Sequence, residues 1–174
     1  MHPSTLPSTE QVWRWLSEVP DPEIPVISLT DLGIIRDVAW DGDTLVVTVT
    51  PTYSGCPATT VINLDIERKL RDEGIEKLRL ERQLSPPWTT DWISAEGREK
   101  LRDYGIAPPV DGTAADGRLM ARVDRLSGSS NLMIACPHCG SNNTERVSQF
   151  GSTPCKASYR CKDCLEPFDY FKCI

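Results

Sequence analysis

Thr44-Leu45-Val46-Val47-Thr48-Val49-Thr50-Pro51-Thr52-Tyr53-Ser54-Gly55-Cys56-Pro57 is the stretch on which the fold turns. Its first six residues alternate, with Leu45, Val47 and Val49 on one side, which predicts a half-buried strand. The run that follows, Ala58 to Glu73, carries Val61, Ile62, Leu64, Ile66 and Leu70 as a broad apolar helix face, and Gly74 supplies a C-terminal stop. Cys56 therefore lies on a turn from strand to helix, with Pro57 suited to the first helical position, where a missing N–H costs nothing. A thiol in that place faces unpaired N–H groups and the positive end of a helix. Such surroundings favour a thiolate, able to act as a nucleophile or a metal ligand. The competing reading is a small side chain packed in a core.

Working outward, Ile34 to Trp40 reads as a strand, and Asp41-Gly42 is a two-residue hairpin signal leading into Thr44. Ile75 to Leu84 alternates again, with Leu78, Leu80, Arg82 and Leu84 in step. Upstream, Ser8 and Gln11 resemble a capping box before a short amphipathic helix over 9–18, which Pro20 and Pro22 stop. The order helix, strand, strand, helix, strand predicts an α+β unit: a small three-stranded mixed sheet with helices packed on it.

Between the first helix and the first strand lies Asp21-Pro22-Glu23-Ile24-Pro25-Val26, which with Pro20 puts three prolines in six residues and fixes an extended turn. Asp21 and Glu23 are either solvated loop acids or carboxylates presented to a site. Beyond the sheet, Pro86-Pro87-Trp88-Thr89-Thr90-Asp91-Trp92 holds two tryptophans on a rigid segment. Trp88 and Trp92 either dock a partner or cap the sheet. Ser94 can cap a helix over 95–104, and Pro108-Pro109 closes this domain, 1–109. Residues 110–130, rich in Asp, Gly, Ala and Ser, read as a linker.

The remaining six of the seven cysteines crowd the last 39 residues. Cys136-Pro137-His138-Cys139 and Cys161-Lys162-Asp163-Cys164 are two CxxC knuckles with 21 residues between Cys139 and Cys161. That spacing predicts a zinc-ribbon β module over 131–174, with four thiolates around one structural zinc ion. His138 is read as a bystander. A segment this small has little core, so the metal supplies much of its folding energy. Cys155 and Cys173 fall at the other end of the hairpin that carries the second knuckle. They are buried neighbours, a second metal pair or a redox pair.

The net charge of −6 argues against a nucleic-acid or membrane-surface binder. It is unevenly spread: residues 131–174 hold 5 Lys+Arg and 4 Asp+Glu, whereas residues 1–130 hold 14 and 21. No apolar run suits a signal peptide or a membrane span, so a cytoplasmic location is expected, where clustered cysteines point to metal or redox chemistry. The only histidines are His2 and His138, there is no Glu-x-x-His pair of the di-iron kind, and no dinucleotide glycine fingerprint. No catalytic set of its own is expected.

Asp21-Pro22-Glu23-Ile24-Pro25-Val26, Asp31-Leu32-Gly33-Ile34-Ile35 and Thr50 to Pro57 resemble, in order and spacing, the three signature stretches of the metal–sulfur cluster assembly factor family. The resemblance covers roughly residues 8–105. It implies help in installing iron–sulfur centres in client proteins, with Cys56 the residue concerned and Asp21, Glu23, Thr52 and Ser54 its neighbours. Cys56 would hold iron or a cluster transiently, in one version together with a second copy in a homodimer. The Trp88–Ile93 segment and the tail from Phe150 to Cys173 resemble the D-protein family of phenylacetyl-CoA epoxidase systems, which are ring-epoxidising di-iron monooxygenases of aerobic phenylacetate breakdown. That likeness implies an accessory maturation factor, with the epoxidase subunits or their iron–sulfur flavoprotein reductase as partners. The alternative is a non-catalytic structural component bridging the two.

Overall fold

Asp41 and Thr44 face each other at the tip of a hairpin in the computed structural model, which describes residues 6–53, 55–110 and 133–172. Strand β1 (Ile35–Asp41) pairs antiparallel with β2 (Thr44–Val49), and Gly42, with φ +62, supplies the left-handed turn that a side chain would resist. Helix α1 (Thr9–Leu16) precedes them. Its start is capped by Ser8, whose hydroxyl oxygen accepts the Gln11 N–H. Helix α2 (Thr59–Asp72) then carries the chain to β3 (Leu78–Arg82), which lies parallel to β2, so the sheet order is β1-β2-β3. This is the mixed three-stranded sheet that the alternation predicts.

The core follows the pattern. Leu45, Val47 and Val49 are buried from β2, Val12 and Leu16 from α1, and Ile62, Ile66 and Leu70 from α2. A fully buried side chain such as Leu45 or Leu70 is worth about 1.5–3 kcal/mol over leaving it in water. The α2 face is narrower than expected: Val61 is 44% exposed and Leu64 55%. The buried residues keep to the i, i+4, i+8 row that faces the core, and Val61 and Leu64 fall outside it. The helix also starts one residue late, with Ala58 as its cap and Pro57 ahead of it rather than in the first turn. The last strand is shorter than the alternation suggests, because Leu84 is already 52% exposed.

The chain divides into two compact units, Met1–Trp88 and Thr89–Ile174. This division falls at 88/89, whereas Pro108-Pro109 predicts a first domain that closes at 109. In the second unit a 3₁₀ turn (Thr90–Trp92) leads to helix α3 (Ala95–Asp103), capped by Ser94, and to a two-residue strand β4 (Ile106–Ala107). Three further strands follow, β5 (Thr144–Ser148), β6 (Lys156–Cys161) and β7 (Pro167–Phe171). β4 pairs parallel with β7, β7 antiparallel with β6, and β6 antiparallel with β5. The ribbon sheet thus has the order β4-β7-β6-β5. Ala107 is part of its core, beside Ile134, Ala157, Tyr159, Phe168 and Tyr170. The Tyr159 ring stacks on Phe168 at 5.8 Å and meets Tyr170 edge-on at 5.6 Å. Residues 95–107 therefore belong with the ribbon, because both the β4 backbone and Ala107 are used there. Of the expected linker, everything beyond Val110 lies outside the described residues. No helix among the described residues is long and apolar enough to cross a membrane.

Candidate functional site

Three loops meet at one end of the first sheet, where β1 begins and β2 and β3 end. The antiparallel register sets Ile35 opposite Val49, and the next backbone bond joins Thr50 N to Ile34 O at 2.9 Å. The loop before β1 is thereby fixed beside the stretch after β2. That earlier loop is itself tied down: Asp21 N bonds to Ile27 O, Leu29 N to Val19 O and Ile34 N to Leu29 O. On the other side Gln83 N bonds to Val49 O, and the Trp88 indole N–H donates to Leu32 O at 2.8 Å. The three signature stretches and the end of β3 are therefore neighbours through the backbone ladder.

Within this end, Cys56 is half-exposed, with a free thiol. Its amide donates to Tyr53 O and its carbonyl accepts Thr59 N–H, both at 3.2 Å, so it sits in a tight turn two residues ahead of the α2 cap. A Cβ built on Gly55 meets nothing within 4 Å, so the backbone just before Cys56 is uncrowded. Ala58 gives α2 no side-chain cap, and the chain from Thr50 to Leu64 holds no charged residue. The helix start thus faces the turn without a competing carboxylate from this stretch. Thr52 is half-buried in the same turn, and Ser54 lies outside the described residues.

Asp21 has a structural use. It is 6% exposed, and its Oδ1 accepts the N–H groups of Glu23 at 2.9 Å and Ile24 at 2.8 Å. This is an Asx turn that holds the proline loop closed. Glu23 is half-buried on that turn. Trp88 is packed into the first unit: it is 3% exposed, and its N–H donates to Leu32 O. Trp92 is half-buried in the 3₁₀ turn of the other unit.

Sequence reasoning missed a cleft of about 40 Å³ between the ends of parallel β2 and β3 and the start of α2, lined by Val49, Pro51, Thr59, Asn63, Leu80, Glu81 and Arg82. Thr59 Oγ1 is buried there without a hydrogen-bond partner among the described residues, as is Thr50 Oγ1 nearby in sequence. Only the parallel pairing of β2 with β3 brings Arg82 to this place. Its position in an alternating run gave no such signal.

The second unit holds a sulfur cluster. The Sγ atoms of Cys136, Cys139, Cys161 and Cys164 all lie within 4.8 Å of one another, with Cys136 to Cys164 at 3.7 Å and Cys139 to Cys161 at 3.6 Å. A tetrahedral ion with metal–sulfur bonds of about 2.3 Å has sulfur–sulfur edges of about 3.8 Å, so the four sulfurs fit one such ion. The knuckles are held by Gly140, at φ +75, whose N–H returns to Cys136 O, and by Cys136 N to Ser141 O and Cys161 N to Glu166 O. Crowding sets the thiols apart. The Cys164 and Asp163 amides hold Cys161 down to about 7, against the effect of burial. At Cys164 the Glu166 amide lowers the thiol, but burial and the three other sulfurs outweigh it and push the thiol up to about 12. At Cys139 the Ser141 amide lowers the thiol, but burial and the Cys161 and Cys136 sulfurs outweigh it and raise it. A cation among the four relieves this repulsion and takes them all as thiolates.

His138 is outside this set. Its ring lies over Gly105, where a Cβ would come within 3.1 Å of His138 Cε1. Cys155 is 5% exposed, 3.0 Å from Thr153 Oγ1, and its carbonyl accepts the Lys172 N–H. Its expected neighbour Cys173 lies outside the described residues.

Residues 9–77 match the family described as iron–sulfur cluster assembly protein, and residues 122–172 match the PaaD zinc beta ribbon domain. The chain is 46% identical over 168 residues to the Escherichia coli (strain K12) protein named, provisionally, as the D component of 1,2-phenylacetyl-CoA epoxidase, spanning 97% of this chain and 94% of that one. It is 35% identical over 103 residues to an Fe–S protein maturation auxiliary factor of Porphyromonas gingivalis, spanning 58% of this chain and 97% of that one. The crystal structure of a domain of unknown function (DUF59) from Bacillus anthracis superposes with a TM-score of 0.50 at 26% identity, over 53% of this chain and 90% of that one.

Proposed function

Since the chain belongs to the D-protein family of 1,2-phenylacetyl-CoA epoxidase systems, we propose that it assists assembly of an iron or iron–sulfur centre in the components of that epoxidase system. The observation that carries this reading is a half-exposed Cys56 in the turn between β2 and α2, at the end of the sheet where the loop before β1 is bonded beside the start of that stretch. Cys56 is the attachment point for the cargo. One thiolate cannot satisfy iron or a cluster, so the other ligands come from the client or from Cys56 of a second copy. Such a shared, incomplete set suits transfer, because the cargo leaves when the client offers a fuller one. The Asp21 turn serves this site by holding its loop closed, and Glu23 stands on that turn.

The second unit acts as a separate module. Cys136, Cys139, Cys161 and Cys164 would hold one zinc ion, which closes the ribbon and adds to its folding free energy. The ribbon and the Thr89–Ile93 segment are the parts that address the epoxidase or its flavoprotein reductase.

The test is a Cys56→Ser strain that expresses the epoxidase system. The expected result is normal accumulation of the variant chain, with its zinc retained, alongside epoxidase components that lack metal and activity. Fully loaded, fully active epoxidase from that strain would reject the assembly role. Stable stoichiometric co-purification with that active enzyme would favour a bridging role instead.

A further inference from the structure

The two knuckles are built differently. In the first, the residue after the second cysteine is Gly140, at φ +75. In the second, the same place is taken by Leu165, at φ +65, the one non-glycine residue with positive φ among those described. A leucine there is strained, and its side chain, 60% exposed, recovers little by packing. This knuckle is instead tied to the first by a side-chain relay. Asp163, between the two cysteines, accepts from the Ser141 hydroxyl through Oδ2 and from Asn143 Nδ2 through Oδ1 at 2.7 Å. Ser141 Oγ in turn accepts the Asn143 N–H at 3.0 Å, and Asn143 O accepts the Lys162 N–H at 2.8 Å. Ser141 and Asn143 are the residues by which the chain leaves the first knuckle, so Asp163 reaches across the sulfur cluster to its opposite half.

We infer that the second knuckle is the half of the metal centre that opens first: Leu165 strains it, and the Asp163–Ser141–Asn143 relay latches it shut. Asp163 is a positioning residue. It acts on Cys161 and Cys164 by fixing the turn that aims them, as outer partners of metal ligands do in general. The inference rests on the reading that the four cysteines hold zinc.

The experiment follows zinc transfer from the full-length, zinc-loaded chain to an excess of a chromogenic chelator. Asp163→Ala is expected to release zinc about tenfold faster than the parent chain. Ser141→Ala should also release faster, and the double variant should release more slowly than the product of the two single effects, because both variants remove the Ser141–Asp163 contact. Leu165→Gly is expected to release about fivefold more slowly, since glycine relieves the left-handed strain. Glu145→Gln, which removes the nearby surface pair with Lys162 at 3.1 Å, is expected to leave the rate unchanged. Cobalt-loaded samples should give the same four-thiolate tetrahedral spectrum in all variants, separating a faster opening from a changed ligand set. Equal rates for Asp163→Ala, Leu165→Gly and the parent would overturn the latch, as would acceleration by Glu145→Gln to match Asp163→Ala. A parent chain that takes up no stoichiometric zinc would overturn the four-cysteine zinc reading itself, and the latch with it.

Discussion

The indole N–H of Trp88 donates to the carbonyl oxygen of Leu32 at 2.8 Å, across 56 positions of chain. The bond closes the first unit by joining the segment after β3 to the loop before β1. Trp88→Phe keeps most of the buried ring but strands the Leu32 carbonyl, and should cost about 1–3 kcal/mol. Trp88→Ala should cost about 3–5 kcal/mol. Denaturant unfolding of both variants checks this; an unchanged midpoint for Trp88→Phe would mean that the Leu32 bond contributes nothing, and one for Trp88→Ala that the ring is not part of the core.

Asp21 offers a test of whether a carboxylate in the proline loop holds cargo or holds the loop. Asp21→Asn preserves the Oδ1 acceptor for Glu23 and Ile24, so its stability should stay within about 0.5 kcal/mol of the parent. Asp21→Ala leaves both amides without that acceptor and should cost about 2 kcal/mol. Thermal unfolding compared with metal maturation of the client separates the roles. Lost maturation in Asp21→Asn at full stability would make Asp21 a cargo ligand.

Zinc uptake by the ribbon should depend steeply on pH. Cys164 titrates at about 12 and Cys139 above the ordinary thiol range, so both carry protons at neutral pH that zinc must displace. Cys161, at about 7, contributes part of a third proton. Binding therefore strengthens as pH rises, and the apparent affinity should fall at least about a hundredfold per unit as pH drops from about 7 to about 6. Competition titrations at several pH values, with proton release measured directly, check the slope. A slope of one proton or fewer would contradict the crowding of these thiols.

Gly105 faces two demands at once, a φ of +90 and the His138 ring 3.1 Å from where a Cβ would stand. Gly105→Ala should destabilise the second unit by about 1–2 kcal/mol. Adding His138→Ala should return the steric share and leave the backbone share. Calorimetry of the two single variants and the double variant gives the coupling. Simple additivity would show that the ring moves aside freely.

What could be read before the fold was known is what local chemistry encodes. Asp41-Gly42 named its hairpin because few residue pairs tolerate that turn. The two CxxC spacings named the sulfur cluster because four thiolates must converge. Trp88 was open to misreading because a tryptophan beside prolines looks the same whether its N–H meets water or the carbonyl of Leu32. Val61 and Leu64 of α2 were overcounted because apolar content alone does not say which row faces the sheet. Ile106–Ala107 was invisible, since two residues have no period and their partner strand lies about 60 positions away. The cleft at Thr59 and Arg82 needed the parallel register of β2 with β3, which only the assembled sheet supplies.

The small strand β4 has a consequence for where the chain can be cut. Ala107 and Ile134 share one core, so the ribbon's folding unit begins well ahead of its first cysteine. Excising the ribbon from residue 131 onward would leave β4 behind and the β7 edge bare.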